Sequence, residues 1–204
     1  ELPVLLEDAC REIADQVNRL RDTASSFSNL VALERWEHEP VDLAVLLEEL
    51  PTGGEVLERR GIGVEYEVES KPALVTGDRQ WLRRALANLL QNSLDALGDS
   101  PGKVMLRLRT VKDRVIFEIE DTGGGVPEER LPDLFSPHFC STTSGCGLGL
   151  ELVQQVAVRC HGSVSAARGD RGLIVRLEFP VASGADAEAE SANRAEGPSR
   201  SGGG

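Results

Sequence analysis

The stretch NLLQNSLDAL, residues 88–97, places two asparagines one helical turn apart inside a leucine-rich segment. At about 100° per residue, Asn88, Asn92 and Asp95 fall on one stripe of a helix. The adjoining flank, predicted to face a core, carries Leu82, Leu86, Leu89 and Ala96. Amides at such a border are costly to bury unless they have hydrogen-bond partners. The stripe therefore indicates either a solvated polar face or a surface that contacts a ligand.

The composition is that of a soluble globular protein, with 40% hydrophobic and 27% charged residues among 204. A formal net charge of −12 argues against a nucleic-acid-binding surface, because phosphate backbones need clustered lysine and arginine. An anion would have to be held locally, by backbone N–H groups or a metal ion. The cysteines lack C-x-x-C spacing and are typical of cytosolic thiols; they are Cys10, Cys140, Cys146 and Cys160.

No run of about 18 apolar residues is present, so we expect no membrane contact by this chain. The N-terminus also lacks the pattern of a signal peptide. We therefore expect a cytoplasmic location, either free or as part of a membrane-anchored parent protein. The chain opens within a helical pattern and without a methionine, which suggests a fragment of a longer protein.

Residues 4–36 are predicted to form one long amphipathic helix. Its apolar positions alternate four- and three-residue steps, which is the a/d pattern of a coiled coil or four-helix bundle. These positions are Leu6, Cys10, Ile13, Val17, Leu20, Ala24, Phe27 and Val31. A surface helix packed on a core is the alternative. Because the chain offers no second long helix to pack against these apolar positions, the pattern implies a homodimer or a preceding helix that is missing.

From Pro40 onward the sequence has the pattern of an α/β domain, beginning with a short helix that runs through Leu50. The predicted strands are 62–69, 103–110, 114–121, 163–169 and 172–180, with the second and third joined as a hairpin. The predicted helices are 78–97, capped by Asp78, a short one starting near Pro127, and 147–162, with Gly162 as its C′ residue. After Pro180 the chain is of low complexity and cannot form a core.

The segment EIEDTGGGVPEE, residues 118–129, follows the second strand of the predicted hairpin into a glycine-rich turn. Strand parity places Asp121 on the same face as the apolar row of Val115, Phe117 and Ile119. A carboxylate at the end of a core-facing row needs a hydrogen-bond donor. The glycines that follow permit close backbone approach by a ligand. The alternative is a simple Asx-type turn.

The segment TTSGCGLGLELV, residues 142–153, is a glycine-rich loop that runs directly into a helix. Backbone N–H groups at a helix start are natural donors to phosphate. The loop is not a Walker A motif, and it lacks the strand and acidic residue of a dinucleotide-binding fingerprint. A flexible entry loop to a packed helix is the alternative.

These segments occur in an order that resembles one family. NLLQNSLDA resembles the N box, DTGGGVP the G1 box, LFSPHF the F box and GCGLGL the G2 box of sensor histidine kinases. Their nucleotide-binding domain is shared with gyrase, Hsp90 and MutL. The resemblance covers about residues 40–180. The heptad helix resembles the second helix of the kinases' dimerisation and phosphotransfer domain.

The resemblance implies an α+β fold, a two-layer α/β sandwich of the Bergerat type. In this fold a mixed sheet carries helices on one face, here preceded by a long coiled-coil-type helix. It divides the chain into a partial dimerisation and phosphotransfer domain (1–38), an ATP-binding catalytic domain (39–181) and a disordered low-complexity tail (182–204).

The resemblance also assigns roles to residues of an ATP and Mg²⁺ site. Asn92 would coordinate Mg²⁺, which prefers oxygen ligands, and Asn88 would support the metal's waters or the phosphates. Asp121 would accept a hydrogen bond from the adenine amino group, because a carboxylate only accepts. Gly123 and Gly125 would give room for the base.

An ATP lid would contain Gly145, Gly147, Leu148 and Gly149, with Phe135 and Phe139 packing at its base. The lid departs from the family pattern at Thr142, where many relatives carry a basic residue, and at Cys146, where a small hydroxyl residue is usual. No lysine or arginine lies between Phe135 and Gly149. Charge neutralisation would therefore rest on Mg²⁺ and backbone N–H groups.

None of the three histidines, His38, His138 and His161, has the sequence surroundings of a phosphoacceptor. We therefore expect the ATP-binding kinase module of a two-component sensor histidine kinase that does not phosphorylate itself. Its acceptor histidine would lie on a helix missing from this chain. Its partners would be a second copy, through the N-terminal helix, and the receiver domain of a response regulator.

Two alternatives belong to other classes. An ATP-hydrolysing conformational machine of the same fold uses a glutamate one turn before the metal-binding asparagine to activate water. The chain has Asn88 at that position, and an amide cannot act as a general base. The second alternative is a degenerate dimerisation scaffold that binds no nucleotide, which the altered lid would favour.

Overall fold

The computed structural model of the chain describes residues 36–50, 54–136 and 148–182. The predicted heptad helix, apart from its last residue, lies outside the described residues. So does the tail from residue 183 onward. The division of the chain at residues 38 and 181 therefore stays a prediction.

The centre of the described domain is a five-stranded mixed sheet with the strand order β2–β4–β5–β7–β6. Its strands are β2 (Ile62–Val68), β4 (Gly102–Val111), β5 (Arg114–Asp121), β6 (Ser163–Arg168) and β7 (Leu173–Pro180). Only the β2–β4 pair is parallel, and the other three pairs are antiparallel. The predicted hairpin and the predicted closing strand pair are both confirmed.

One face of the sheet forms the core. The register places Leu106 opposite Ile119 and Leu108 opposite Phe117, and Phe117 in turn opposite Leu177. All five of these side chains are buried. Because strand side chains alternate between faces, an apolar residue at every second position fixes which face is covered.

The other face of the sheet carries ion pairs across the strands. Glu118 of β5 accepts hydrogen bonds from Arg176 of β7, at 3.1 and 2.8 Å, and pairs with Arg109 of β4 at 2.9 Å. Arg107 pairs with Glu120 at 2.8 Å. Opposite charges on neighbouring strands of one face support the register that the apolar face requires.

In the part of the chain that the structure describes, four α-helices accompany the sheet: α1 (Leu43–Glu48), α2 (Gly54–Arg59), α3 (Arg79–Leu97) and α4 (Leu148–Arg159). Both long helices, α3 and α4, contribute their apolar sides to the same core as the sheet. Asp78 caps α3 as predicted, because its Oδ1 accepts hydrogen bonds from the N–H groups of Gln80 and Trp81.

Some short elements were not predicted. Strands β1 (Glu39–Asp42) and β3 (Leu74–Gly77) form a separate antiparallel pair, and helix α2 was also missed. The helix predicted from Pro40 starts only at Leu43, where Asp42 caps it by accepting from the N–H of Ala44. The short helix predicted near Pro127 is a 3₁₀ helix, Glu128–Asp133.

The end of α4 corrects the predicted role of Gly162. The left-handed residue is His161, with a φ of 54°, so His161 is the C′ residue. The N–H of Gly162 donates to the carbonyl of Ala157 at 2.8 Å, and that of His161 to Val158 at 3.0 Å. These bonds form a Schellman motif with Gly162 at C″. Gly162 is needed for space, because a Cβ there would lie 2.4 Å from the carbonyl oxygen of Glu178.

The cap of α3 yields a stability prediction. Asp78→Ala removes the acceptor for two helix N–H groups and for the N–H of Glu37, which Oδ2 accepts at 3.1 Å. We expect the free energy of unfolding to fall by about 1–2 kcal/mol, measured by urea unfolding. Asp78→Asn keeps the capping oxygen and should lose much less. Equal losses in the two variants would contradict this account.

Candidate functional site

Helix α3 brings its predicted polar stripe to the edge of the core. Asn88 is half-buried and Asn92 is exposed, and the leucines of the adjoining flank are buried as predicted. The prediction for Ala96 is wrong, because its side chain is exposed. The next residue, Leu97, is buried and takes the place in the apolar flank that was predicted for Ala96.

The start of helix α4 packs against the two asparagines. A Cβ built on Gly149 would lie 3.7 Å from Asn88 Cγ and 3.8 Å from Asn92 Nδ2. Neither amide hydrogen-bonds to any group in the described part of the chain. The first N–H groups of α4 have no partner within the helix, and they lie beside these amides. The arrangement is suited to an anion or a hydrated cation between α3 and α4.

Asp121 ends strand β5 on the core face, opposite Val104, and only 4% of its surface is exposed. Its Oδ1 accepts hydrogen bonds from the N–H groups of Gly123, at 2.9 Å, and Leu173, at 3.4 Å. Oδ2 accepts none from the residues that the structure describes. Burial raises the pKa of this carboxyl, and the two N–H donors partly offset that rise. Oδ2 is thus the acceptor that Asp121 can offer to a ligand.

The glycines after Asp121 are required by neighbouring backbone. A Cβ on Gly123 would lie 2.9 Å from the carbonyl oxygen of Ala96. Gly125 has a φ of 65°, and its Cβ would lie 3.2 Å from the oxygen of Gly172. The turn therefore packs closely against the backbone of both α3 and the start of β7. The close approach predicted at Gly123 and Gly125 is to the protein itself, and their contact with a base stays a prediction.

Gly172 was missed by the sequence reasoning. A Cβ there would lie 2.3 Å from Asp121 Oδ1 and from the carbonyl oxygen of Asp121, so no side chain fits. The available signal was the predicted strand at residues 172–180, whose start pairs with the end of the strand that carries Asp121. Gly172 lets the N–H of Leu173 approach the carboxylate.

The remaining predicted site residues are only partly covered by the structure. Phe135 is half-buried and packs on the core. Leu148 opens helix α4, whereas Phe139, Gly145 and Gly147 lie outside the described residues. So do Thr142, Cys140, Cys146 and His138.

The other two histidines lie within the described residues. His38 is exposed, and its ring meets that of Trp36 edge-on with centroids 6.0 Å apart. His161 ends α4. Within residues 36–50, 54–136 and 148–182, no cluster of three or more His, Cys, Asp or Glu side chains has the arrangement of a metal site. In the same ranges no helix is long and apolar enough to cross a membrane.

The described geometry is that of a two-layer α/β domain. A mixed sheet is covered on one face by helices, and the candidate site lies between a helix with paired asparagines and the end of a central strand. The chain belongs to the family of histidine kinase-, DNA gyrase B- and HSP90-like ATPases, whose model matches residues 77–183.

Individual relatives are sensor kinases. Sporulation kinase B of Bacillus subtilis is 24% identical over 172 residues, which cover 83% of this chain but 40% of that protein. The solved structure of the mycobacterial sensor histidine kinase MprB is 30% identical, with a TM-score of 0.61, and the match covers 71% of this chain and 97% of that one. Full-length ShkA, solved in complex with AMPPNP, is 27% identical with a TM-score of 0.66, covering 86% and 38%.

These similarities confirm the predicted fold and the resemblance to sensor histidine kinases. This chain spans less than half the length of sporulation kinase B, so the matched region is only a part of that protein. The similarities leave the individual site residues untested.

The burial of Asp121 yields a pH-dependence prediction. Because the folded-state pKa is raised, the carboxyl's contribution to stability is complete below its unfolded pKa and is lost as pH rises through the folded pKa. Asp121→Asn has no such titration. The unfolding free energy of the wild type minus that of the variant should therefore fall as pH rises above about 3.8, the ordinary pKa of this group. Urea unfolding at several pH values measures this, and a difference that rises with pH would contradict it.

Proposed function

We propose that the pocket between α3, the turn after β5 and the start of α4 binds ATP together with Mg²⁺. The observation that carries this proposal is the pairing of two chemically different ends in one pocket. At one end the buried Asp121 offers Oδ2 as an acceptor. At the other, Asn88 and Asn92 lie beside the first turn of α4. The first end suits a base with an amino group, and the second suits phosphates.

The residues present fit a magnesium ion. Asn92 is exposed and its amide oxygen has no hydrogen-bond partner among the described residues. Mg²⁺ is commonly held by one or two protein oxygens, with substrate phosphates and water completing its six ligands. Asn92 would supply one oxygen, and Asn88, one turn away, would hold water or phosphate. The bound ion would neutralise phosphate charge in a protein of net charge −12.

The AMPPNP that accompanies ShkA in its solved structure supports an adenine nucleotide as the ligand of this chain. AMPPNP is an ATP analogue, and the match to ShkA covers 86% of this chain. An adenine ring with its amino group toward Asp121 Oδ2 would meet an acceptor that cannot donate. A six-keto purine would present an oxygen to the same acceptor and be disfavoured.

The reaction that we propose is transfer of the ATP γ-phosphate to a histidine on a helix outside this chain. Such transfer relies on positioning and charge stabilisation more than on a strong base. Asn88, one turn before Asn92, suits this role because its amide cannot take a proton from water. Hydrolysis by a conformational ATPase would need a base at that place.

The wider organisation belongs to the same proposal. Residues 39–181 would form the catalytic domain, residues 1–38 part of a dimerisation and phosphotransfer domain, and residues 182–204 a tail. The phosphoryl group would pass from the histidine to the receiver domain of a response regulator. We propose a cytoplasmic homodimer that assembles through the N-terminal helix.

Asp121→Asn tests the base end of the pocket. The asparagine Oδ1 can keep both backbone N–H bonds, which places Nδ2, a donor, where Oδ2 was. The adenine amino group, a donor, would then face the Nδ2 donor, and we expect the ATP affinity to fall at least about tenfold. Inosine triphosphate, which has an acceptor at the same position, should lose far less. Isothermal titration calorimetry with both nucleotides measures this, and equal losses would contradict the assignment.

Asn92→Ala tests the metal end. We expect the gain in ATP affinity on adding Mg²⁺ to disappear, a loss of at least about tenfold, while the metal-free affinity stays near the wild-type value. The matched control is Gln91→Ala, which removes a neighbouring exposed amide that is hydrogen-bonded to Asp95. The control should keep the Mg²⁺ effect. An intact Mg²⁺ effect in Asn92→Ala would overturn the metal assignment.

A further inference from the structure

The two asparagines belong to a longer row along helix α3. Residues four apart follow one another on a helix surface, so the row runs Arg84, Asn88, Asn92 and Ala96. At 1.5 Å per residue, it is about 18 Å long. The proposed function uses its two middle members, and the two ends differ in chemistry.

The Ala96 end of the row is the base end. Gly123 lies directly against it, since its Cβ would lie 2.9 Å from the Ala96 carbonyl oxygen. The N–H of Gly123 in turn donates to Asp121. A base that contacts Asp121 therefore lies near Ala96. Its phosphates must extend past Asn92 and Asn88, and the last of them lies nearest Arg84.

Of the three arginines in α3, only Arg84 is directed along this row. Arg79 projects about 180° away from Asn88 around the helix. Arg83 projects about 140° away from Asn88 around the helix, whereas Arg84 projects only about 40° away. Arg84 is therefore the α3 cation nearest in direction to the amides.

The Arg84 side chain is held near the helix surface by an aromatic ring. Its guanidinium carbon lies 5.6 Å from the centroid of the Trp81 ring. Trp81 is 9% exposed and belongs to the core. A cation over an indole is attracted to it, and that attraction limits the positions that the guanidinium samples. The residue as a whole is exposed.

We propose that Arg84 binds the terminal phosphate of the triphosphate, so that the site distinguishes ATP from ADP. This inference rests on the proposed function. A guanidinium can bond phosphate oxygens with two parallel N–H groups, which a metal ion or a helix start does not duplicate. The sequence between Phe135 and Gly149 contains no lysine or arginine, so the lid brings no cation of its own to that phosphate.

The contact has a consequence for turnover. ATP would gain the Arg84 contact and ADP would lack it, because the phosphate that Arg84 binds has left with the acceptor. The base and the first two phosphates would be held equally in both nucleotides. Arg84 would therefore favour exchange of the product for a new substrate without weakening adenine recognition.

The test compares ATP and ADP binding to the full 204-residue chain by isothermal titration calorimetry with Mg²⁺. In Arg84→Gln we expect the ATP affinity to fall about tenfold and the ADP affinity to change by less than about twofold. Arg83→Gln is the matched control, because it removes the same charge from the adjacent position. It should leave both affinities within about twofold of the wild type.

The other outcomes overturn the proposal. Equal losses for ATP and ADP would mean that Arg84 acts on the site as a whole, and unchanged ATP affinity would mean that it has no contact with the nucleotide. If Arg84→Gln fails to fold by circular dichroism, Arg84→Lys replaces it, and a selective loss for ATP of several-fold is required. A wild-type chain that binds neither nucleotide would instead remove the proposed function itself.

Discussion

The candidate site depends on the side-chain parity of strand β5. Alternate residues of this strand fill the core, and the same alternation makes Asp121 the last member of a buried apolar row. A buried carboxyl group is tolerated there because backbone N–H groups of two different segments donate to one of its oxygens. Those donors require Gly123 and Gly172 to come close. The turn and the start of β7 are therefore shaped by the cost of burying one polar group.

The opposite end of the pocket depends on how α3 and α4 pack together. The start of α4 meets the asparagines through Gly149, and its end meets the start of α3, where Cys160 lies against Gly77. The two helices therefore run antiparallel. Burial raises the pKa of the Cys160 thiol to about 12, so this cysteine is a packing residue and not a reactive thiolate. The packing holds the first N–H groups of α4, which have no partner within the helix, beside the amides of α3.

Much of this arrangement could be predicted from periodicity, and the remainder could not for physical reasons. The β4–β5 hairpin, helix α3 and the buried face of Asp121 follow from strand and helix periods over many residues. Strands β1 and β3 have only four residues each, too few to show a period, and their pairing joins segments far apart in sequence. The left-handed position is occupied by His161 and not by the predicted glycine. Glycine is required one residue later, at Gly162, because a Cβ there would collide with the backbone of β7. The need for glycine at position 172 arises from Asp121, which lies on another strand, so the local sequence does not reveal it.

The separation of the two ends explains how an acidic protein could hold a highly charged anion. Ala96 and Asn88 are eight residues apart on α3, an axial distance of about 12 Å. At that separation the Coulomb repulsion between the Asp121 carboxylate and phosphates near Asn88 would be weaker than at contact, because it falls with distance. The proposed phosphate end is lined by amides, which carry no charge and can bond either an anion or a hydrated cation. A carboxylate in place of Asn88 would supply a base for water and would also repel the phosphates directly. Under the proposed function, the neutral side chain at this position would therefore favour both retention of the triphosphate and transfer to an acceptor other than water.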